Sequence, residues 1–241
     1  MEKYLYPHFY EIENEHWWFA ARQKILFNFV EKIFNFPNHA NMLDVGCGTG
    51  AILDMFSKKF NCFGQDTSSD AIEFCKKRNL KNVYLGTLNE IELERNTFDL
   101  ITAFDVLEHI EDEISVLKEM KNLLKDDGRI LVTVPAFQFL WGIHDEVTHH
   151  KRRYIKPSLK NVIEKSGLKV ERISYFNFFL FPIAVLKRFT AKLFNSNSAN
   201  DLEIPTPILN SILKNIFETE KNILPKINFP FGLSLIAVLK K

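Results

Sequence analysis

The alternation of short apolar runs with helically spaced stretches predicts an α/β chain built on a doubly wound, mostly parallel sheet with helices on both faces. Two observations carry this expectation. The run Leu43-Asp44-Val45-Gly46-Cys47-Gly48-Thr49-Gly50 sets three glycines where a buried strand gives way to a helix bearing Ile52, Leu53, Phe56 and Phe60. Twenty residues beyond Gly46, Asp66 follows a second apolar run, Cys62-Phe63-Gly64. Glycine allows tight turns and close approach of a ligand to the main chain, and the helix that follows presents unpaired N–H groups. An acid at the tip of the neighbouring strand can accept hydrogen bonds from two ribose hydroxyls, so the pair points to a nucleotide cofactor.

Two cofactor classes use this arrangement. The dinucleotide fingerprint is Gly-x-Gly-x-x-Gly, whereas Gly46-Cys47-Gly48-Thr49-Gly50 is one residue tighter and follows an acid, Asp44. A phosphate loop is excluded because no Gly-Lys-Ser/Thr follows. With Asp44, Gly46, Gly48 and Gly50 in the pattern Asp-x-Gly-x-Gly-x-Gly, the chain resembles the class I S-adenosylmethionine-dependent methyltransferases. The resemblance implies a Rossmann-like seven-stranded sheet, mostly parallel with an antiparallel last strand, and S-adenosyl-L-methionine as cofactor. It sets the methionine part against Asp44, Gly46, Cys47, Gly48, Thr49 and Gly50, and the ribose against Asp66 and Thr67. The bland alternative is an ordinary glycine-rich strand-to-helix turn.

Composition agrees with an enzyme domain. The chain has 241 residues, 46% hydrophobic and 25% charged, enough to bury a substantial core. A formal charge of +1 gives no basic excess of the kind nucleic-acid partners require, so none is expected. Three cysteines without paired spacing fit a reducing compartment, and the start, Met-Glu-Lys-Tyr, opens no apolar signal; a cytoplasmic location is expected.

Residues 1–40 form an aromatic lead-in, with Tyr4, Tyr6, Phe9, Tyr10 and His16-Trp17-Trp18-Phe19, followed by a helix whose apolar positions are Ile25, Leu26, Phe29, Val30 and Ile33. It reads either as plain packing or as a lid, in which Trp18 meets the acceptor and Arg22, one turn on, meets an anionic group.

The core is expected over residues 41–175. Ser69 and Asp70 suit the start of a helix, and Val83–Leu85 reads as a short strand. After that strand the family usually has an aspartate for the adenine amino group; here Gly86-Thr87-Leu88 stands instead, leaving Thr87 and Leu88 as the adenine contacts. The next strand, Phe98 to Phe104, runs into Asp105-Val106-Leu107-Glu108-His109. Phe-Asp-Leu-Ile followed by Val-Leu-Glu-His resembles the post-strand motif of small-molecule members of the class, and Phe104, Asp105 and Val106 should line the cofactor crevice. Methyl transfer needs positioning and, for a hydroxyl acceptor, a base, for which His109 is a candidate beside its structural reading as a local cap. A helix from Asp112 to Lys125 is expected to end at Asp126-Asp127-Gly128, before a strand from Arg129 to Val134.

The segment after Pro135 carries Trp141, His144-Asp145-Glu146 and His149-His150-Lys151-Arg152-Arg153-Tyr154. Its spacing lacks a helical His-Glu-x-x-His frame and nearby cysteines, so no metal is assigned to it. An acceptor pocket is the expectation: Trp141 and Tyr154 line it, Arg152 and Arg153 grip a carboxylate or phosphate, and His144 or His149 takes a proton. Related sequences carry a similar string. A solvated basic loop is the alternative.

Pro157-Ser158 opens a helix closed by Gly167, and Val170–Tyr175 reads as a sixth strand. Residues 176–189 are densely apolar but too short, and too interrupted by Asn177, Pro182, Lys187 and Arg188, to span a bilayer. They form either a buried cap or a peripheral contact with membrane. A polar linker, Asn195–Asn200, and an amphipathic helix with Ile208, Leu209, Ile212, Leu213, Ile216 and Phe217 complete a cap insertion over residues 176–230, and residues 231–241 supply the last strand, which the resemblance sets beside the sixth. The expected function is methylation, at oxygen, of a small-molecule or lipid-linked acceptor in glycan, quinone or similar biosynthesis. A nicotinamide-dependent oxidoreductase and a non-catalytic membrane-associated scaffold are the rivals.

Overall fold

The computed structural model describes residues 5–193 and 203–241; the expected linker Asn195–Asn200 and Tyr4 lie outside the described residues. Two helices come first, α1 (Leu5–Ile12) and α2 (Trp17–Ile33). The alternating part follows as β1 (Asn41–Val45), α3 (Ala51–Phe56), β2 (Asn61–Asp66), α4 (Ser69–Lys77), β3 (Val83–Leu85), β4 (Phe98–Phe104), α5 (Glu113–Leu123) and β5 (Leu124–Pro135). Then come α6 (Ile143–Val147), α7 (Lys156–Lys165), β6 (Lys169–Phe176), α8 (Phe181–Leu193), α9 (Pro207–Glu218) and β7 (Ser234–Lys240).

Among the described residues seven strands form one sheet in the order β3-β2-β1-β4-β5-β7-β6. Strands β1 to β5 pair in parallel, while β7 runs antiparallel to both β5 and β6. Chain order reverses between β1 and β4, and crevices outside the carboxyl ends of strands at such a point take ligands. The glycine turn and Asp105 both leave strands there.

β1, β4, β7 and residues 130–135 of β5 are mostly buried because both faces are covered. Ile25, Leu26 and Phe29 of α2 pack in the same core as Leu43, Ile101, Val132 and Ile236 of the sheet, and Phe217 of α9 joins them. α2 and α9 are also pinned to each other: Trp17 N donates to Asn210 Oδ1 at 2.8 Å and its ring meets Phe217 edge-on.

One expectation is corrected. The helix ends at Leu123 and the strand begins at once at Leu124, because Lys125–Gly128 is taken up as a register shift against Phe98–Leu100 rather than as a loop. The apolar run 176–189 is not one face: Phe176 and Leu180 are buried, whereas Ile183, Leu186 and Phe189 on α8 are 59%, 65% and 57% exposed.

Candidate functional site

The glycine turn is shaped by two tight contacts and one opening. Gly46 has φ +69°, and a Cβ there would lie 2.6 Å from Val106 Cγ2. At Gly50, φ +85°, a Cβ would lie 2.7 Å from Leu80 Cδ1 and 2.9 Å from Cys75 Sγ. Gly48 also has a left-handed φ, +54°, yet nothing lies within 4 Å of where its Cβ would be. The outer glycines are demanded by the protein itself, while the middle one faces open space that a ligand's atoms can fill. Gly48 N donates to Asp66 Oδ2 and Ser68 N to Asp66 Oδ1, each at 2.9 Å, so the acid is fixed at the rim of that space. A carboxylate has lone pairs beyond these two bonds with which to accept ribose hydroxyls.

Asp44 is buried beneath the turn and accepts from Thr102 Oγ1 at 2.6 Å; burial pushes its carboxyl up to about 7. Cys47 Sγ sits 3.8 Å from Cys75 Sγ, and both are free thiols. Thr49 faces away from the opening, its hydroxyl donating to Glu13 Oε2 at 2.5 Å, and Arg78 pairs with the same carboxylate. Glu13, which sequence reasoning overlooked, therefore latches the segment after α1 to the turn. Thr67 is exposed next to Asp66. Thr87 is also exposed, and its N–H and hydroxyl both donate to Glu90 Oε2 at 2.8 Å, while Leu88 is half-buried against the core.

At the end of β4, Phe104 is half-buried and Asp105 has φ +57°. Its carboxylate accepts from Arg22 Nη2 at 2.6 Å and from Thr133 Oγ1 at 3.1 Å. The Arg22 guanidinium lies over the Trp18 ring at 5.0 Å and the Phe104 ring at 5.6 Å. Arg22 was expected to meet an anionic group of the ligand; its charge is instead matched by Asp105 and enclosed between two aromatic faces, which ties α2 to the crevice.

The loop after β5 is held by ion pairs within the protein. Arg153 reaches Asp145 with Nε at 2.7 Å and Nη2 at 2.9 Å, and its Nη1 donates to Ala136 O at 3.1 Å. Arg152 pairs with Glu113, and Tyr154, 2% exposed, donates to Glu113 Oε2 at 3.3 Å. These three side chains fasten the loop to the body; Arg153 is nearly enclosed on Asp145, while Arg152, paired with Glu113, keeps 29% of its side chain exposed. Trp141 and His144 are half-buried, but His149 is exposed, with φ +59°.

It is His150 that turns inward. Its Nδ1 lies 2.8 Å from Asp145 Oδ1 and its Nε2 lies 3.8 Å from Glu108 Oε1. Its ring meets those of His109 and His144 edge-on, with centroids 4.7 Å and 5.7 Å away. Burial opposes ionisation of Asp145, but the hydrogen bonds from His150 and Arg153 outweigh it and hold the carboxyl below the usual range. Burial, then the neighbouring His150, pushes His109 down to about 4, so its imidazole is neutral at physiological pH. Glu108, Asp145 and His150 were not picked out from the sequence as site residues, although Glu108 adjoins His109 and His150 adjoins His149.

Comparison with known proteins fits this geometry. A model described as a methyltransferase domain matches residues 18–173, more than half of the chain. The ubiquinone biosynthesis O-methyltransferase of Haemophilus ducreyi is 26% identical over 176 residues, covering 63% of this chain and 75% of that protein. A SAM-dependent methyltransferase from Archaeoglobus fulgidus shares the fold at a TM-score of 0.59 and 18% identity, over 97% of this chain and 98% of its own. In the complex between the Haloferax volcanii Trm112 methyltransferase activator and a methyltransferase, the matching chain gives a TM-score of 0.60 at 14% identity, over 95% and 91% of the two chains. With the family match spanning the glycine turn, Asp66 and the polar cluster at the end of β4, the chain belongs to the class I S-adenosylmethionine-dependent methyltransferases.

Proposed function

We infer that this methyltransferase acts on an oxygen of a small acceptor, free or lipid-linked, of the quinone-precursor or glycan type. The observation that carries the reading is the opening at Gly48 beside Asp66, together with the cluster of Glu108, His109, His144, Asp145 and His150 that follows β4 and β5. Bound S-adenosylmethionine supplies an electrophilic methyl group on a sulfonium. The chain's own part is to hold the acceptor oxygen in line and to take its proton. Asp66 and Thr67 hold the ribose, and the backbone of Gly46 to Gly50, over Asp44, holds the methionine part. Adenine lies against Leu88 and main-chain groups, since the Thr87 hydroxyl is engaged by Glu90. Phe104, Asp105 and Val106 line the crevice, Trp18 and Trp141 flank the acceptor, and its proton passes to the histidine cluster at His109 or His144 rather than to exposed His149. Residues 1–40 serve as the cover of the site.

Within the 176–230 cap, a lipid surface is the proposed contact of α8 and α9. Ile183, Leu186 and Phe189 on α8, and Ile208, Leu209 and Ile212 on α9, leave large apolar surface exposed. No helix among the described residues is long and apolar enough to cross a membrane. A protein of the activator kind is the alternative occupant. Flotation with anionic liposomes separates them: a chain that stays in the soluble fraction is not using α8 as an anchor.

Calorimetric titration with S-adenosylhomocysteine, run beside NADH and repeated on Asp66→Ala, tests the cofactor site. Binding of the homocysteine product alone, at least tenfold weaker in the variant, supports the assignment. Binding of NADH instead, or product binding indifferent to Asp66, sinks it.

A further inference from the structure

We propose that Glu108, His109 and His150 form a binding site for one divalent transition ion of the Zn2+ or Co2+ class. Each offers a ligand atom, and the three atoms lie within 4.8 Å of one another. Glu108 Oε1 lies 3.8 Å from His150 Nε2. Three tetrahedral ligands bonded at about 2.1 Å sit about 3.4 Å apart, so the cluster closes on an ion with side-chain shifts on the order of 1 Å.

Glu108 is the strongest argument. Its side chain is fully buried, and neither carboxylate oxygen has a hydrogen-bond partner among the described residues. A buried carboxylate is normally hydrogen-bonded, ion-paired, metal-bound or protonated. The neighbouring cations are committed to other acids, Arg22 to Asp105 and Arg153 to Asp145.

The surroundings have the arrangement a metal-binding histidine needs. A ligating imidazole donates its other ring N–H to a carboxylate or a backbone carbonyl, which fixes its tautomer and aim. His150 does this through Nδ1 to Asp145 Oδ1 at 2.8 Å, pointing Nε2 at Glu108. The His109 ring bonds the backbone of His149. Asp145 is itself held by Arg153 and by Gly142 N at 2.8 Å. Two imidazoles and one carboxylate select a borderline ion over Mg2+, which favours all-oxygen sites.

The ligands come from two elements. Glu108 and His109 lie in the 3-10 turn Leu107–His109 after β4, and His150 in the loop after β5, where Lys151 N donates to Glu108 O at 2.8 Å. Val106, two residues before Glu108, packs on Gly46. Under the proposed function, an ion held beside the glycine turn takes His109 as a ligand and leaves the acceptor's proton to His144. That consequence rests on the proposed function; the existence of the site does not.

The test is a Co2+ titration of the chelator-treated full chain, read by visible absorption, then displacement by Zn2+. The expected result is one equivalent per chain with the d–d bands of a nitrogen and oxygen ligand set, affinity at least a hundredfold weaker in Glu108→Gln and in His150→Ala, and S-adenosylhomocysteine binding retained in both. No stoichiometric binding would overturn the proposal. So would binding that survives both substitutions, or a thiolate-to-cobalt charge-transfer band lost in Cys47→Ser, which would put the ion at the Cys47 and Cys75 pair. Should either variant fail to fold, paramagnetic broadening of the His109 and His150 ring signals in the unmodified protein decides, and its absence refutes the site. Loss of the metal with product binding intact would leave the methyltransferase reading standing.

Discussion

Replacing Arg153 with methionine sets a structural role against an acceptor-gripping one. Arg153 is nearly enclosed, its side chain 9% exposed, and it covers an Asp145 carboxylate that is 0% exposed. Arg153→Met keeps the packing of the aliphatic stem but removes two charge-assisted bonds to Asp145, at 2.7 and 2.9 Å, and one to Ala136 O at 3.1 Å. His150 and Gly142 N still satisfy part of the carboxylate. Breaking a buried pair from one side costs ~3–5 kcal/mol, because the other charge is left in a poorly solvated place. With a urea m-value of ~3 kcal/mol/M, the unfolding midpoint should fall by between about 1 and 2 M. An exposed pair gives the control: Lys160→Met, which breaks the 3.7 Å contact with Glu164, should cost less than ~0.5 kcal/mol. An Arg153→Met protein whose midpoint matches the parent, but which needs far more acceptor to saturate, would show that the guanidinium serves the ligand and that this reasoning is wrong.

Other substitutions follow the same logic. Gly48→Ala should cost only the ~1 kcal/mol of a left-handed alanine in stability yet weaken S-adenosylhomocysteine binding strongly, since the new methyl enters the open space. Gly50→Ala should do the reverse, because its Cβ would strike Leu80 and Cys75; equal product affinities for the two variants would undo the distinction. Asp44, raised to about 7 by burial, keeps its proton when folded while an unfolded aspartate releases it near 4. The stability this contributes is fully present below roughly pH 4 and is lost as pH rises to about 7, at up to ~1.4 kcal/mol per pH unit. Urea titrations of ligand-free Asp44→Asn at pH 5 and pH 7 should lack that slope; an unchanged slope would place the proton elsewhere. Glu13→Ala frees Thr49 and Arg78 from the segment after α1, and a higher hydrogen-exchange rate across residues 5–15 is the expected result, with no change counting against the latch.

The amino-acid sequence by itself determined the architecture and the cofactor class. Alternating apolar runs, the glycines at 46, 48 and 50 and the acid at 66 are local signals, each decided by neighbours a few residues away, and the sheet carries them as expected. The partners of charged side chains were decided only by tertiary structure. Arg22, Arg152 and Arg153 look like ligand-binding residues in a string, but each is matched by an acid brought from another element: Asp105, Glu113 and Asp145. Which of two adjacent histidines faces inward hangs on one left-handed residue, His149, that no periodicity announces. Glu108 and His150 stand 42 positions apart in sequence and meet only because β4 and β5 are parallel neighbours whose carboxyl ends open on the same side. Hydrophobic periodicity records which face of an element is buried; it holds no record of which buried charges share that space, since that depends on how separate elements are set side by side.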